Sequence, residues 1–140
     1  MVPFVEEMLR RGTRVILCAN TRPILNDVTY AELSLLLGQV SKVSEVICSG
    51  LDTEMLVTRD SGQGSPCLDL ARLHYDLAEE MRSQGVDLIV LEGMGRAIHT
   101  NFHTKFKCDS LKVAVLKNRW LAQHLGGDMF SVVFKYETAD

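Results

Sequence analysis

Hydrophobic positions are spaced like a helix at the start of the chain and like a strand directly after it. Phe4–Arg11 carries apolar residues at three- and four-residue intervals, and Gly12 is a typical helix end. The next segment, Thr13–Ala19, is a nearly unbroken apolar and β-branched run, as in parallel strands buried on both faces. The pattern therefore predicts a short helix followed by a buried strand.

The alternation continues along the rest of the chain. Thr29 and Glu32 form the S/T-x-x-E pattern of a capping box, which predicts a helix over Tyr30–Gln39. Further strands are predicted at Val43–Cys48, Met55–Thr58, Asp87–Leu91, Leu111–Leu116 and Phe130–Phe134, and further helices at Leu70–Gln84 and Trp120–Leu125. This order predicts an α/β fold with helices on both faces of a mostly parallel sheet. The first helix would be the crossover after an earlier strand, so we expect a partial domain.

Composition and charge exclude two classes of partner. The chain has 18 acidic and 15 basic residues and no basic run longer than Arg10-Arg11, so nucleic-acid binding lacks its electrostatic signature. No apolar stretch approaches the roughly 18 residues that span a bilayer, and the acidic start does not fit a secretory signal. The four cysteines form no C-x-x-C pair, which argues against a zinc knuckle or a disulfide framework. A cytoplasmic protein without membrane or nucleic-acid partners is therefore expected.

Polar side chains follow three of the predicted strands, at the points where the strands end. They lie in Asn20–Asp27, Glu92–Arg96 and Lys117-Asn118. Ligands of open α/β sheets bind outside the carboxyl ends of the strands, so we expect these stretches to meet around one ligand. Asn26 and Asp27 offer the hard oxygen ligands that Mg²⁺ and Mn²⁺ prefer.

The same edge offers groups for a phosphate. Lys117 and Arg96 are cations, and the backbone amides of Gly93 and Gly95 could donate hydrogen bonds to phosphate oxygens. The combination indicates a phosphate bound with a divalent metal. Each piece also has a structural reading, because Asn-Asp commonly caps a helix, Gly-x-Gly commonly forms a tight turn, and Lys-Asn commonly lies at a solvated helix terminus.

Two other motifs carry weaker signals. His99 and His103 have the i, i+4 spacing of a zinc pair but lack the glutamate of zinc proteases, and a cap of a short helix by Thr100 or Asn101 is the alternative. The loop 61–65 lacks the Lys-Ser/Thr ending of a phosphate-binding P-loop, so we expect a mobile flap there.

Several longer motifs follow one another along the chain. They are Leu25-Asn-Asp-Val-Thr29, Ser65-Pro-Cys-Leu-Asp-Leu70, Glu92-Gly-Met-Gly-Arg96 with His99-Thr-Asn101, Cys108-Asp-Ser-Leu-Lys112, Lys117-Asn118 and Phe130-Ser-Val-Val-Phe-Lys-Tyr-Glu137. In this order they resemble the metal-dependent damage-control phosphatase family, in its pantothenate-kinase-linked branch. The likeness covers essentially the whole chain.

The resemblance implies a three-layer α/β/α domain that hydrolyses 4'-phosphopantetheine and its oxidised or damaged forms, which limits coenzyme A synthesis. It implies a divalent metal cofactor, Mn²⁺, Co²⁺, Ni²⁺ or Mg²⁺. Asp27 matches the family's second metal-binding aspartate, Lys117 its substrate-phosphate lysine, and Glu92–Arg96 its active-site glycine loop. We therefore expect Asp27 and Lys117 to be catalytic, Asp27 to bind the metal, and the substrate to contact Asn20, Asn26, Glu92, Gly93, Gly95, Arg96 and Asn118.

The resemblance also implies that a metal-binding motif is lacking. The family's first such motif, an Asp-Asn pair, is expected upstream of Met1, so residues 1–140 would be the C-terminal part of the domain. Affinity for Mg²⁺-class ions depends on the number of anionic ligands, so we expect a weakly active or inactive phosphatase. The alternative is a non-catalytic α/β binding or assembly module. Self-association as a homo-oligomer is compatible with both.

Overall fold

The structure, a computed structural model, describes residues 1–139. The chain divides into two compact units, the first made of Met1–Ser65 with Arg72–Leu77 and the second of Pro66–Ala71 with the chain from Ala78 onwards. Each unit has its own sheet and its own apolar core. The two units are therefore described separately.

The first unit packs three helices against a two-stranded parallel sheet. Its elements are α1 (Val2–Arg10), β1 (Val15–Ala19), α2 (Tyr30–Val40), α3 (Glu45–Asp52) and β2 (Leu56–Asp60). Each helix contributes a buried side chain to the core, and these are Val5, Leu37 and Ile47. Ala19 pairs with Asp60, so both strands end at the same edge of the sheet.

Helix α3 corrects one prediction from the sequence. A strand was expected at Val43–Cys48, and this expectation is wrong because residues 45–52 are helical. The Ser44 side chain accepts a hydrogen bond from the Ile47 N–H at 3.3 Å and begins the helix. Ile47 is then completely buried in the core. A local cap and a tertiary contact thus override the strand propensity of the β-branched residues.

The second unit is built on a three-stranded sheet. Helix α4 (Tyr75–Ser83) leads into it, followed by β3 (Leu88–Glu92), a short π-helix (Met94–His99), β4 (Asp109–Val115), α5 (Arg119–His124) and β5 (Val132–Glu137). Strands β3 and β4 are parallel, whereas β5 runs antiparallel to β4. The core joins Leu91 of β3, Ala97 of the π-helix and Leu121 of α5.

The predicted α/β class and the prevalence of parallel pairing are confirmed, since two of the three strand pairings within residues 1–139 are parallel. The exception is β5. The Leu116 N–H donates to the Ser131 carbonyl at 2.9 Å and the Phe130 N–H donates to the Leu116 carbonyl at 2.7 Å, so the chain returns beside β4 in the opposite direction.

The predicted start of α2 is confirmed in detail. The Thr29 hydroxyl accepts from the Glu32 N–H at 3.2 Å, and the Glu32 carboxylate accepts from the Thr29 N–H at 2.8 Å, which completes a capping box. The helix predicted over Leu70–Gln84 begins only at Tyr75, after a single 3-10 turn at Leu70–Arg72. Within residues 1–139, no helix combines the length and apolarity needed to cross a bilayer.

Candidate functional site

Asn20 and the segment that leads to Asp27 lie together at the carboxyl end of β1. Asn20 forms a parallel bridge with Thr29, and its carbonyl accepts the Tyr30 N–H at 2.7 Å. The Asp27 N–H donates to the Ile24 carbonyl at 3.0 Å, which closes the turn before α2. Asp27 is half-buried and its neighbour Asn26 is exposed. The first unit thus brings Asn20, Asn26 and Asp27 to the sheet edge where α/β proteins bind ligands.

The side chain of Asn20 is buried without a partner for one of its polar atoms. Only 3% of the residue is exposed, and within residues 1–139 its Nδ2 has no hydrogen-bond acceptor. Burying an amide donor in this way costs about 1–3 kcal/mol. Such atoms are rare in folded proteins, and each one needs an explanation.

The loop after β2 lies beside this position and is firmly held. The Thr21 N–H donates to the Gln63 carbonyl at 2.8 Å, and the Thr21 hydroxyl donates to Asp60. The Gly62 N–H also donates to Asp60, at 2.8 Å, and the Ser61 carbonyl accepts the His74 N–H at 3.1 Å. Hydrogen bonds thus join both ends of the loop to neighbouring backbone, and the expected mobility of this flap stays a prediction.

The N-terminus of α2 already holds an anion of the protein itself. Hydrogen bonds from the backbone and side chain of Thr29 lower the pKa of Glu32, so this carboxylate is charged at neutral pH. A carboxylate there satisfies the positive end of the helix dipole. A phosphate would therefore be stabilised little at this helix end, and basic side chains are the better phosphate ligands.

In the second unit, the predicted glycine loop follows β3. The Gly93 N–H donates to the Val113 carbonyl at 2.9 Å, which corrects the expectation that this amide serves a ligand. The Arg96 guanidinium folds back over Gly93, with Nη1 3.7 Å from the position that a Cβ would occupy there. Glu92, at the end of β3, is exposed. Arg96 thus places a basic group at this turn.

Lys117 and Asn118 follow β4, which is parallel to β3, so they lie at the same sheet edge as Glu92. Lys117 is exposed, and its contact with a phosphate stays a prediction. The Asn118 side chain accepts the Leu121 N–H at 3.0 Å and caps α5. The interpretation of Asn118 as a residue at a helix terminus is therefore confirmed. A contact between Asn118 and the substrate stays a prediction.

The π-helix is held in place by side chains that the sequence suggested as caps. The Thr100 hydroxyl donates to the Gly95 carbonyl at 3.0 Å, and the buried Asn101 amide donates to the carbonyls of Arg96 at 2.8 Å and Leu68 at 3.0 Å. The wide turn of a π-helix is often found at functional sites. These caps fix the turn that carries Arg96.

Metal-binding capacity is limited in the part of the chain that the structure describes. Residues 1–139 contain no group of three or more His, Cys, Asp or Glu side chains arranged to hold a metal ion, and this includes the surroundings of His99 and His103. The Asp27 carboxylate fits as one hard oxygen ligand. Mg²⁺-class ions usually complete their coordination with water and phosphate oxygens.

The predicted site residues therefore fall into two groups. Asn20, Asn26 and Asp27 lie at the edge of the first sheet, and Glu92, Gly93, Gly95, Arg96, Lys117 and Asn118 lie at the edge of the second. The prediction that both groups face one substrate stays a prediction. The sequence did not single out Asp60, whose contact with Thr21 spans 39 positions.

Comparison with known proteins identifies a family and several relatives of this sequence. Residues 1–133 match the family of damage-control phosphatase ARMT1-like domains. A mouse protein named 4'-phosphopantetheine phosphatase is 40% identical over 96% of this chain. A damage-control phosphatase of Arabidopsis thaliana is 42% identical over 97% of the chain, and a pantothenate kinase 2 of the same plant is 40% identical over 98%.

These relatives are much longer than the chain, which spans 22%, 36% and 17% of their respective lengths. The fold has a counterpart in the crystal structure of a DUF89 family protein from Pyrococcus horikoshii. That structure matches 95% of this chain and 41% of its own length, with a TM-score of 0.64 and 18% sequence identity. At this identity the likeness concerns the fold alone.

Proposed function

The chain belongs to the family of damage-control phosphatase ARMT1-like domains, and from this premise we propose that it binds 4'-phosphopantetheine and hydrolyses its phosphomonoester. Oxidised and damaged forms of the same compound are included, so the activity would limit coenzyme A synthesis. The observation that carries the proposal is Asp27 at the carboxyl end of β1, in a chain 40% identical to the mouse 4'-phosphopantetheine phosphatase. The proposal places the chain in the cytoplasm, consistent with four free cysteines.

In this proposal the residues have distinct roles. Lys117 and Arg96 bind the phosphate and offset the negative charge on the transferring phosphoryl group. Asn20, Asn26, Glu92, Gly95 and Asn118 contact the substrate. Asp27 would hold a divalent ion, Mn²⁺, Co²⁺, Ni²⁺ or Mg²⁺, which supplies Lewis-acid polarisation of the phosphate when bound. Since Asp27 is a single carboxylate, we expect weak metal affinity and slow turnover by this chain.

Replacing Asp27 by alanine is expected to lower phosphate release from 4'-phosphopantetheine by at least about tenfold, because the residue is the one proposed metal ligand. The assay measures inorganic phosphate with each of the four metals in turn. Asp52→Ala, which removes an exposed carboxylate at the end of α3, is the matched control and should retain wild-type turnover. Full turnover by Asp27→Ala would contradict its assignment.

A non-catalytic binding or assembly module is the second candidate, and the lack of a three-ligand metal group in residues 1–139 favours it. Calorimetric titration of Mn²⁺ separates the two candidates when it is followed by the phosphate assay. Metal binding with turnover supports the phosphatase. A cooperatively folded chain that neither binds metal nor releases phosphate supports the module, and size-exclusion chromatography would then test for self-association.

A further inference from the structure

The unpartnered amide of Asn20 lies between two segments that converge on it from different strands. Its backbone is paired with Thr29 on one side, and the register of β1 with β2 places Ser61, which is also buried, on the other. The Ser61 hydroxyl accepts the Gln63 N–H at 3.3 Å, so its own proton can be donated elsewhere. Asn20 and Ser61, which carry an amide and a hydroxyl donor, thus occupy paired positions at the carboxyl edge of the first sheet.

The surroundings of these donors are hydrogen-bonded and closely packed. The loop after β2 is bonded to Thr21, as described above, and it also packs closely: a Cβ at Gly64 would lie 2.9 Å from the Arg22 Cβ. Retaining an unsatisfied donor in such a site is a cost to the free protein that a bound acceptor would remove.

We propose that the Asn20 amide, assisted by the Ser61 hydroxyl, donates a hydrogen bond to an oxygen atom of the bound substrate. This inference rests on the proposed function and adds to it Ser61 and the loop 60–64 as the wall of the substrate site. Phosphate, carbonyl and hydroxyl oxygens are all acceptors, so the chemistry required of the ligand is an acceptor oxygen. Asn20 is in this view a specificity residue that costs stability in the free chain.

The two variants Asn20→Leu and Asn20→Ala test the proposal, since both remove the donor and the leucine keeps the volume. Because the donor has no partner in the free chain, Asn20→Leu should melt at the same temperature as the wild type or higher. The matched control is Asn101→Leu, in which the same change removes an amide that donates to two backbone carbonyls. This control should melt at a clearly lower temperature.

Binding to the full chain is then measured by calorimetry with Mn²⁺ present and three probes: 4'-phosphopantetheine, pantetheine and inorganic phosphate. We expect both Asn20 variants to bind 4'-phosphopantetheine at least about tenfold more weakly, the loss of one hydrogen bond to a buried donor. If the variants also bind inorganic phosphate more weakly than the wild type, the acceptor is a phosphate oxygen. If only the binding of 4'-phosphopantetheine and pantetheine is weakened, the acceptor lies in the pantetheine part of the substrate.

Two results overturn the inference alone: wild-type affinity for 4'-phosphopantetheine in both Asn20 variants, or a melting temperature of Asn20→Leu as low as that of Asn101→Leu. The second result would mean that the amide serves the fold. If the wild-type chain binds none of the three probes, the proposed function fails and the inference fails with it.

Discussion

Replacing Gly95 by alanine is expected to lower the free energy of unfolding by about 3 kcal/mol, at the upper end of the usual cost of overpacking. A Cβ at this position would lie 2.0 Å from the Pro66 carbonyl oxygen and 2.9 Å from its carbonyl carbon. Both atoms belong to the backbone, so the rotation of a side chain cannot relieve the clash. The π-helix or the segment at Pro66 must shift, and thermal unfolding should show a melting temperature lower by roughly 10 °C.

The control for this variant is Gly38→Ala. Gly38 lies within α2 and has no atom within 4 Å of the Cβ position, so the same methyl group meets open space. Alanine has the higher helix propensity, and this control should gain about 0.5–1 kcal/mol. Equal stability of the two variants would contradict the close contact between Gly95 and Pro66.

Replacing Lys112 by methionine is expected to cost about 3 kcal/mol. Lys112 is completely buried, and its ammonium donates to the Phe102 carbonyl at 3.1 Å, the Thr104 carbonyl at 2.7 Å and the Glu137 carboxylate at 2.7 Å. Removing one partner of a buried ion pair costs about 3–5 kcal/mol. We expect the lower end, because Lys105 also contacts Glu137. Urea unfolding monitored by circular dichroism measures the difference.

Lys105→Met is the matched control, since the Lys105 side chain is 59% exposed and its pair with Glu137 should contribute under about 1 kcal/mol. A second readout is the acid dependence of stability. Hydrogen bonds from Lys112, Lys105 and Lys135 lower the pKa of Glu137 to about 2 from its ordinary 4.5. Because this pKa is lower in the folded than in the unfolded chain, the Glu137 carboxylate stabilises the fold at pH values above about 4.5. This contribution is lost as the pH falls from about 4.5 to about 2.

The acid dependence should be weaker in Lys112→Met, because the pKa of Glu137 in the folded state then rises toward its unfolded value. A variant as stable as Lys105→Met, with the acid profile of the wild type, would contradict the role of Lys112.

Local sequence patterns predicted the elements whose causes are local. The Thr29–Glu32 capping box joins residues only three positions apart, and the apolar run that ends at Ala19 by itself indicates a buried strand. The segment at Val43 was misassigned because its β-branched residues favour a strand, whereas Ile47 is buried in a core that includes Val5 of the distant helix α1. A helix signal was present in Ser44, three residues before Ile47, as a cap.

Contacts between residues that are distant in the sequence could not be predicted from local patterns. Lys112 interrupts an apolar strand, but its partner Glu137 lies 25 residues further along the chain. Gly95 was predicted as a phosphate-binding glycine, and no local pattern could reveal that the Pro66 carbonyl oxygen lies 2.0 Å from its Cβ position. Asn20 was identified as a ligand residue from its place after β1, but the missing partner of its amide required coordinates.

The central proposal, which the structure leaves untested, is that Asp27 and Lys117 act on the same phosphorylated substrate. A double-mutant cycle with Asp27→Asn and Lys117→Ala tests it, with the affinity for 4'-phosphopantetheine measured by calorimetry in the presence of Mn²⁺. We expect each single variant to weaken binding and the two effects to be coupled by more than about 0.5 kcal/mol, as for groups that share one ligand. Strictly additive effects, or wild-type affinity in either single variant, would contradict the account.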